Sequence, residues 1–216
     1  MLAYVRPMRR EDIEQVAQID REAFPTEWPP PNFRRELENR LAHYIVACDA
    51  DKPRAKPEEG KPRREAPSGL LVRVKGWFDH RRFQDKQQAE DYILGFAGFW
   101  IMADEAHITT IASRKTHRRQ GIGELLLISI IEMAIKLKAR VVTLEVRVSN
   151  TAAQRLYTKY GFTEIGVRRG YYTDNREDGL LMSTEDIHSP QFQARFQKLK
   201  EAYSARWGYP PINQAA

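Results

Sequence analysis

The chain has 216 residues, of which 42% are hydrophobic and 30% are charged, a composition typical of one folded domain with a sizeable core and not of a disordered chain. No apolar stretch reaches the roughly 20 residues that cross a bilayer, so we expect no membrane partner. The net charge of +6 is compatible with an acidic partner but is too small to indicate specific nucleic-acid binding.

Cysteine content and the N-terminal sequence both bear on location. The chain has one cysteine, Cys48, which can form neither an intramolecular disulfide nor a cysteine-based metal cluster, and we expect it to be a small buried residue of a strand. The N-terminus has no basic start followed by an apolar run, so secretion is not indicated. These features predict a cytoplasmic protein.

The sequence does not indicate a metal site. None of the five histidines has a partner at the spacing that metal ligands require.

The first fifty residues alternate strand and helix signals. The pattern predicts a strand over 4–8, a helix over 11–24, a short helix ending near Asn39 and a strand over 44–48. Between the two helices, consecutive prolines at 29–31 exclude regular helix and expose aromatic side chains on a stiff loop.

The composition changes after this strand. Residues 49–69 are rich in Pro, Lys, Arg, Glu and Ala, with almost no large apolar residue. Such a segment buries too little apolar surface to offset the entropy of ordering, which predicts a flexible insertion within the domain. An extra strand over 70–78 and a polar connection over 80–91 follow. Strand character resumes over 92–102, where Gly95 and Gly98 indicate a bulge or a close contact.

The next predicted strand, 106–113, has an unusual apolar spacing. Ile108 and Ile111 are three positions apart, so a regular strand places them on opposite faces unless a bulge corrects the phase. A strand buried on both faces explains the spacing equally well.

The remaining elements follow in quick succession. The pattern predicts a helix beginning at 122, a strand over 141–148, a helix over 150–160 closed by Gly161, two strands flanking the turn at 171–179, and a helix after Ser189. We assign 1–187 to a single domain that contains the insertion at 49–69, and 188–216 to a C-terminal extension. In that extension, Trp207 and Tyr209 either pack back on the domain or recruit a partner.

A glycine-containing turn, 118–123, joins the strand at 106–113 to the following helix. Backbone N–H groups at a helix start lack intrahelical acceptors and the helix dipole favours an anion, so a phosphate or diphosphate fits. Gly121 and Gly123 allow close approach, and Arg118 and Arg119 add positive charge. Alone the motif is weak, because an ordinary turn has the same features, and it is neither a Walker loop nor a dinucleotide fingerprint.

Further motifs follow this turn in a defined order. They are Leu144-Glu145-Val146-Arg147, Ser149-Asn150, Leu156-Tyr157, Gly161-Phe162, Arg168-Arg169, Tyr171-Tyr172 and Arg176-Glu177-Asp178. Together with Ile111-Ala112 and the turn, this order resembles the GNAT acetyltransferases, and among them the ribosomal-protein-alanine N-acetyltransferases. The resemblance is dense over 105–182. It implies an α/β GNAT fold, with a mixed and mostly antiparallel sheet that is splayed at a bulged strand and flanked by helices.

The resemblance also implies acetyl-CoA as co-substrate. Its pantetheine would pair with the backbone of the bulged strand, and its diphosphate would lie on the glycine turn. Asn150 would add a hydrogen bond to the cofactor, and its position before a helix also makes it a capping residue. The residues assigned to acetyl-CoA are Ile111, Ala112, Ser113, Arg118, Arg119, Gln120, Gly121, Ile122, Gly123, Glu124 and Asn150.

Glu145 is the candidate base. The apolar positions 142, 144, 146 and 148 share one face of their strand, so Glu145 projects from the other face with Thr143 and Arg147. Spacing alone favours an ordinary cross-strand ion pair, whereas the resemblance implies that Glu145 takes a proton from the amine, directly or through water. We expect a partly dry cleft to raise its pKa. His107 is an alternative base, although a lone strand histidine is more often structural.

Tyr157 is the candidate acid. Its hydroxyl would protonate the leaving thiolate, although its helical apolar stripe alone would indicate a core tyrosine. The resemblance further implies two walls of a peptide groove, one formed by the loop after the first helix and one by the turn near 171–176. The assigned wall residues are Phe24, Pro25, Trp28, Tyr171 and Tyr172.

These expectations combine into one hypothesis and two rivals. The hypothesis is an N-terminal acetyltransferase that moves acetyl from acetyl-CoA to the α-amine of a protein N-terminus in a ternary complex, with the N-terminal alanine of a small-subunit ribosomal protein as the leading substrate. One rival acetylates lysine side chains or small amines. The other binds acyl-CoA without catalysis and docks on the ribosome through its modestly basic insertion.

Overall fold

The computed structural model describes residues 2–24, 31–53 and 91–208. The strands are β1 (Ala3–Pro7), β2 (Ala42–Pro53), β3 (Asp91–Met102), β4 (Glu105–Ser113), β5 (Val141–Arg147), β6 (Phe162–Tyr172) and β7 (Glu177–Thr184). The helices are α1 (Ile13–Ala23), α2 (Phe33–Glu38), α3 (Ile122–Lys136), α4 (Thr151–Lys159) and α5 (Pro190–Trp207), with 3-10 turns at Arg10–Asp12 and Lys115–His117. Within the described ranges, no helix is both long and apolar enough to cross a membrane.

The described strands form one mixed sheet in the order β1-β2-β3-β4-β5-β7-β6. Neighbouring strands are antiparallel except for β4 and β5, which run parallel and are connected through α3. The predicted architecture, a mostly antiparallel sheet flanked by helices, is therefore confirmed.

The parallel pair opens into a splay. Residues 105–108 of β4 pair with residues 141–144 of β5, and no further β4–β5 pairs occur among the described residues. Beyond this point β4 continues alongside β3, and β5 continues alongside β7. The two strands therefore diverge, and each leaves one backbone edge without a strand partner.

A bulge in β4 coincides with the splay. Gly98 of β3 pairs with Thr110, but the next residue, Phe99, pairs with Ile108, so Thr109 is an extra residue in β4. The predicted bulge between Ile108 and Ile111 is confirmed. The strand is also buried on both of its faces, because Ile108 and Ala112 belong to clusters on opposite sides of the sheet. The two explanations of the spacing are therefore compatible.

Helices cover both faces of the sheet. Val16 and Ile19 of α1 and Phe33 of α2 pack on one face, where Cys48 is fully buried as predicted. Apolar residues of α3 and α5 pack on the other. Close approach of α3 requires Gly95 in β3, because a Cβ there would lie 2.6 Å from the Ala112 carbonyl oxygen and 2.9 Å from the Ile122 side chain.

The predicted insertion starts too early. Asp49 pairs with Ala3 and with Tyr92, and the Asp51 carboxylate accepts a hydrogen bond from the Leu2 backbone N–H. The expectation of flexible chain over 49–53 is wrong, because pairing with two strands orders a segment whose composition is polar. The rest of the insertion, 54–69, the predicted strand at 70–78 and the connection at 80–90 lie outside the described residues.

The other predicted strands and helices are present with ends shifted by a few residues. The helix predicted after Ser189 is α5, and it packs back on the domain. Phe192, Phe196 and Tyr203 of α5 are buried in the same cluster as α3. Trp207 also packs against this cluster, so for this residue the alternative of packing back on the domain is confirmed. Tyr209 lies outside the described residues.

Candidate active site

The glycine turn presents backbone donors at the start of α3. The first intrahelical bond runs from Leu125 N–H to the Gly121 carbonyl (2.9 Å), so the N–H groups of Ile122, Gly123 and Glu124 have no acceptor within the helix. Gly121 adopts a left-handed conformation, with φ of 81°. The turn therefore has the open N–H groups and positive dipole end that an anion requires.

Side chains around this turn differ in what they can contribute. Ile122 is buried in the core, so it offers only its backbone. The Glu124 carboxylate already accepts hydrogen bonds from Lys159 (2.5 Å) and Tyr160 (2.7 Å). Gln120 donates to the Thr116 carbonyl at 3.4 Å. From Gln120, Ile122 and Glu124, a ligand would therefore meet mainly backbone N–H groups.

The splay between β4 and β5 leads directly into this turn. Ile111, Ala112 and Ser113 pair with β3 on one side, and their other backbone edge faces the gap. The buried Thr110 hydroxyl has no hydrogen-bond partner among the described residues. An unpaired strand edge followed by an anion-binding turn fits the amide-containing arm and the diphosphate of acetyl-CoA.

Glu145 lies where the two strands separate. It is the first residue of β5 beyond the pairs with β4, and its side chain, only 6% exposed, projects away from the apolar face formed by Val142, Leu144 and Val146. The predicted orientation on its strand is confirmed. One carboxylate oxygen lies 3.1 Å from His107 Nε2, and the other lies 3.0 Å from an Arg168 guanidinium nitrogen.

These two partners set the acidity of Glu145. Burial acts to raise the pKa of the carboxyl, but the hydrogen bond and charge of His107, with the charge of Arg168, outweigh it and lower the pKa below its usual value. The expectation of a raised pKa is therefore wrong. Desolvation is present as predicted, but the contacts of the carboxylate with His107 and Arg168 reverse its effect.

A chain of hydrogen bonds continues from Glu145 through His107. The other ring nitrogen of His107, Nδ1, lies 2.8 Å from the Thr143 hydroxyl, which donates to the Glu105 carboxylate. Thr143 is buried, whereas the Glu105 side chain is 39% exposed. Three side chains, those of His107, Thr143 and Glu105, thus connect the buried base candidate with the surface of the protein.

Tyr157 lies on α4, and its ring packs as the apolar stripe of that helix predicts. It contacts Phe162 with ring centroids 5.7 Å apart and belongs to the apolar face of α4 that covers the core. Burial, with a smaller contribution from neighbouring Tyr172, raises the pKa of the Tyr157 hydroxyl. This phenol therefore stays protonated near neutral pH.

Tyr171 and Tyr172 form an ordered aromatic pair at the end of β6. Their rings meet edge to face with centroids 5.1 Å apart. The Arg168 guanidinium that contacts Glu145 also lies 5.5 Å from the centre of the Tyr171 ring. Burial raises the pKa of Tyr172 to about 12. Both tyrosines interact electrostatically with Glu145, and Tyr172 also does so with Tyr157.

Arg147 fixes the turn that carries this pair. Its guanidinium contacts Asp174 at 2.9 Å and Glu177 at 3.2 Å, and lies 3.9 Å from the centre of the Tyr172 ring. Like Glu145, Arg147 projects from the polar face of β5. The same strand thus supplies the base candidate and the residue that orders the neighbouring wall.

The opposite predicted wall is only partly described. Phe24 ends α1 and is 43% exposed, as a contact residue would be. Pro25 and Trp28 lie outside the described residues. Asn150 caps α4 by accepting a hydrogen bond from Ala153 N–H at 3.2 Å, so its predicted capping role is confirmed.

Two functional features escaped sequence reasoning. The contacts of His107 and Arg168 with Glu145 depend on strand pairing, since these residues are 38 and 23 positions away from it in the chain. A signal for His107 existed, because parallel pairing of 106–113 with 141–147 brings it opposite Thr143. No local signal distinguishes Arg168 from its neighbour Arg169.

Comparison with known proteins gives consistent matches. The model of the Acetyltransferase (GNAT) family matches residues 13–162. The chain is 35% identical over 181 residues to a Bacillus subtilis (strain 168) protein provisionally named [ribosomal protein bS18]-alanine N-acetyltransferase, covering 83% of this chain and 93% of the relative. It is 32% identical over 180 residues to an N-alpha-acetyltransferase of Sulfurisphaera tokodaii, covering 83% and 90%.

Its fold is similar to that of a solved relative. The crystal structure of the ribosomal-protein-S18-alanine N-acetyltransferase from Escherichia coli superposes with a TM-score of 0.60 at 24% sequence identity. The match covers 88% of this chain and 97% of that one.

Proposed function

Since the chain belongs to the GNAT acetyltransferase family, an acetyl-CoA-dependent family of transferases, we propose that it acetylates the α-amine of a protein N-terminus. One observation carries this proposal: a buried, ionised Glu145 lies at the opening between β4 and β5, within the electrostatic reach of Tyr171 and Tyr172. In this proposal Glu145 is the base, Tyr157 the hydroxyl donor and the two tyrosines the wall of the substrate groove.

Acetyl-CoA supplies an activated acetyl thioester. The open edge of β4 at Ile111, Ala112 and Ser113 would hold its pantetheine, and the N–H groups at 122–124 would hold its diphosphate. Arg118 and Arg119 would add charge at the same turn. This assignment is supported because the open edge of β4 and the glycine turn follow each other in one continuous segment of the chain.

Glu145 acts as the base in this proposal. An N-terminal amine is largely protonated near neutral pH, so it must lose a proton before its nitrogen attacks a carbonyl. The lowered pKa of Glu145 keeps the carboxylate ionised and ready to accept that proton. His107 lies against the same carboxylate and is a positioning residue for it.

The proton then has a path to solvent. Because Thr143 donates to Glu105, the Thr143 oxygen accepts from His107 Nδ1–H, and the contact between Nε2 and Glu145 shares one further proton. When Glu145 takes up the proton of the amine, the Nδ1 proton of His107 can pass to Thr143 and the Thr143 proton to Glu105, so that one proton leaves the site for the one that enters it. The exposed Glu105 releases the departing proton to water.

Replacement of Thr143 tests this path. Thr143→Val breaks the chain, and we expect kcat to fall by about 3- to 10-fold, less than for loss of the base itself. Thr143→Ser keeps the hydroxyl and is the matched control. Steady-state kinetics with saturating acetyl-CoA measure the effect, and equal rates for the two variants would remove the path.

Tyr157 acts as hydrogen-bond donor to the departing sulfur. Its raised pKa lies above that of an ordinary thiol, about 8.5, so the hydroxyl stabilises a thiolate chiefly by donating a hydrogen bond rather than by complete proton transfer. Solvent can then supply the proton that completes the thiol.

The proposed substrate is an extended protein N-terminus that begins with alanine, as in ribosomal protein bS18. The names of the Bacillus subtilis and Sulfurisphaera tokodaii relatives support this class. The ordered wall of Tyr171 and Tyr172 also suits a peptide better than a small amine. We propose that the reaction takes place in the cytoplasm, with neither a membrane nor a nucleic acid as partner.

The deciding experiment is mass spectrometry of peptides incubated with the full chain and acetyl-CoA. The panel varies the first residue and includes peptides with blocked N-termini and free lysines. We expect acetylation of free α-amines, strongest for alanine. Modification of lysines or added small amines alone would overturn the substrate class, and binding of acetyl-CoA without any transfer would favour the non-catalytic rival.

A further inference from the structure

The C-terminal helix α5 runs across the domain and ends at the glycine turn. Ser189 caps its start by accepting from Phe192 N–H at 3.2 Å, and Phe192 is buried in the core. Farther along, Lys200 pairs with Glu132 of α3 at 2.9 Å. The last turn of α5 therefore lies against the beginning of α3.

Two residues of that last turn contact Gly121. The Tyr203 hydroxyl donates a hydrogen bond to the Gly121 carbonyl oxygen at 3.2 Å. The Trp207 indole covers the Gly121 Cα so closely that a Cβ at position 121 would lie 2.7 Å from the ring. Gly121 is thus held by its carbonyl on one side and by an aromatic ring on another.

These contacts act on an unusual piece of backbone. Gly121 has a positive φ of 81° and also supplies the first carbonyl acceptor of α3. Glycine has the widest choice of backbone conformations, so an unsupported turn would sample several of them. Support by Tyr203 and Trp207 selects the conformation in which the N–H groups at 122–124 point out of the helix start together.

Trp207 is held in place by shape. Its indole Nε1 is buried without a hydrogen-bond partner among the described residues, while the Arg206 guanidinium lies 5.0 Å from the ring centre. A buried donor without an acceptor weakens the docking of the helix end. Within the described residues, Trp207 is therefore held by packing against Gly121 and the core cluster and not by a hydrogen bond of its indole.

We propose that α5 is a brace for acetyl-CoA binding, in which Tyr203 and Trp207 are positioning residues for the turn that receives the diphosphate. The inference rests on the proposed location of the diphosphate at that turn. Because the turn and the helix end contact each other, binding of acetyl-CoA and docking of α5 strengthen each other by the same factor.

Binding measurements on the full chain test the brace. We expect Tyr203→Phe and Trp207→Ala to raise the calorimetric Kd for acetyl-CoA by about 5- to 20-fold, within the usual range of such coupling. The KM for acetyl-CoA should rise equally, with kcat at saturation within about twofold of the wild-type value. Phe192→Leu, in the first turn of α5, should lower the melting temperature and leave the Kd unchanged.

Hydrogen exchange separates the brace from the site on which it rests. Acetyl-CoA should slow exchange both at 118–125 and at 199–208, although α5 makes no proposed contact with the ligand. Protection at 118–125 alone, with an unchanged Kd in both brace variants, would overturn the brace and keep the diphosphate site. Absence of protection at 118–125 would overturn the site itself. If Phe192→Leu lost as much affinity for acetyl-CoA as Tyr203→Phe and Trp207→Ala, the loss would come from general destabilisation of the protein, and the brace would be overturned.

Discussion

The two halves of the candidate site are built from different parts of the chain. The proposed acetyl-CoA half is made mostly of backbone: an unpaired edge of β4 and the free N–H groups at the start of α3. The proposed substrate half is made of side chains, with Glu145 between His107 and Arg168, and Arg147 holding the wall of tyrosines. A backbone site depends on conformation, whereas a side-chain site depends on charge and hydrogen bonding.

This difference predicts different responses to substitution. Changes in the backbone half should affect affinity for acetyl-CoA and leave the maximal rate intact. Changes in the side-chain half should affect the rate or its pH dependence and leave that affinity intact. Each of the following experiments tests whether one half can be altered without the other.

The largest effect is expected for Glu145→Gln. The amide keeps the shape of the side chain but cannot accept the proton of the amine, so kcat should fall by about 10²- to 10⁴-fold. Steady-state kinetics with an alanine-initiated peptide measure the loss. Calorimetry should give a Kd for acetyl-CoA within about twofold of the wild-type value, and a parallel loss of affinity would show that the halves are not separate.

Tyr157→Phe should have the next largest effect. The substitution removes the hydrogen bond to the departing sulfur while keeping the ring packed on Phe162, so we expect kcat to fall by about 10- to 100-fold. Thermal unfolding serves as the control, because the apolar contacts remain. A variant with the wild-type kcat would make Tyr157 a core residue only.

The glycines of the turn offer a matched pair of substitutions. At Gly121, with φ of 81°, an alanine costs about 1–2 kcal/mol in backbone strain, and its Cβ would also meet the Trp207 ring. We expect Gly121→Ala to raise the KM for acetyl-CoA by about 10-fold with little change in kcat.

Gly123→Ala is the control for this prediction. A Cβ at position 123 meets no atom within 4 Å, and the residue lies in the first turn of α3. Because the backbone at position 123 accepts alanine without strain, Gly123→Ala tests only the space that a Cβ takes beside the diphosphate, and its KM for acetyl-CoA should rise less than that of Gly121→Ala. If both variants bind acetyl-CoA equally well, the conformation at Gly121 has no part in binding.

The smallest expected effect is a change in pH dependence. Arg168 contributes to the lowered pKa of Glu145, so Arg168→Gln should raise that pKa and move the acid limb of kcat/KM to higher pH. We expect a shift of less than about one pH unit, because the Arg168 side chain is 53% exposed and its charge is screened.

Arg169→Gln gives the comparison for this profile. Arg169 is 86% exposed and pairs with Asp178 instead of Glu145, so its replacement should leave the acid limb in place. Profiles of the two variants that move together would point to a general effect of net charge. A shift toward lower pH in Arg168→Gln would contradict the electrostatic account of Glu145.

Sequence reasoning succeeded where the signal was local. Alternation along β5 gave the face of Glu145, the three-residue spacing of Ile108 and Ile111 agreed with the bulge, and Asn150 had the pattern of a capping residue. Each of these properties depends on neighbours within a few positions. The fold followed from the order of such local signals together with the family resemblance.

The same reasoning was wrong where distant residues meet. The pKa of Glu145 is lowered because strand pairing brings in His107 and folding brings in Arg168, neither of which is near it in the chain. The polar residues at 49–53 form a strand because β1 and β3 supply partners on both sides. In both cases tertiary contacts outweigh the local tendency of the sequence.

The buried Cys48 has a practical consequence for every assay proposed here. It is the only cysteine of the chain, it is fully buried, and burial raises the pKa of its thiol to about 12. Thiol reagents attack the thiolate, so the folded enzyme should not react with them on the timescale of turnover. Release of free CoA can therefore be followed continuously with a chromogenic thiol reagent, and slow reaction of Cys48 would report unfolding in the same cuvette.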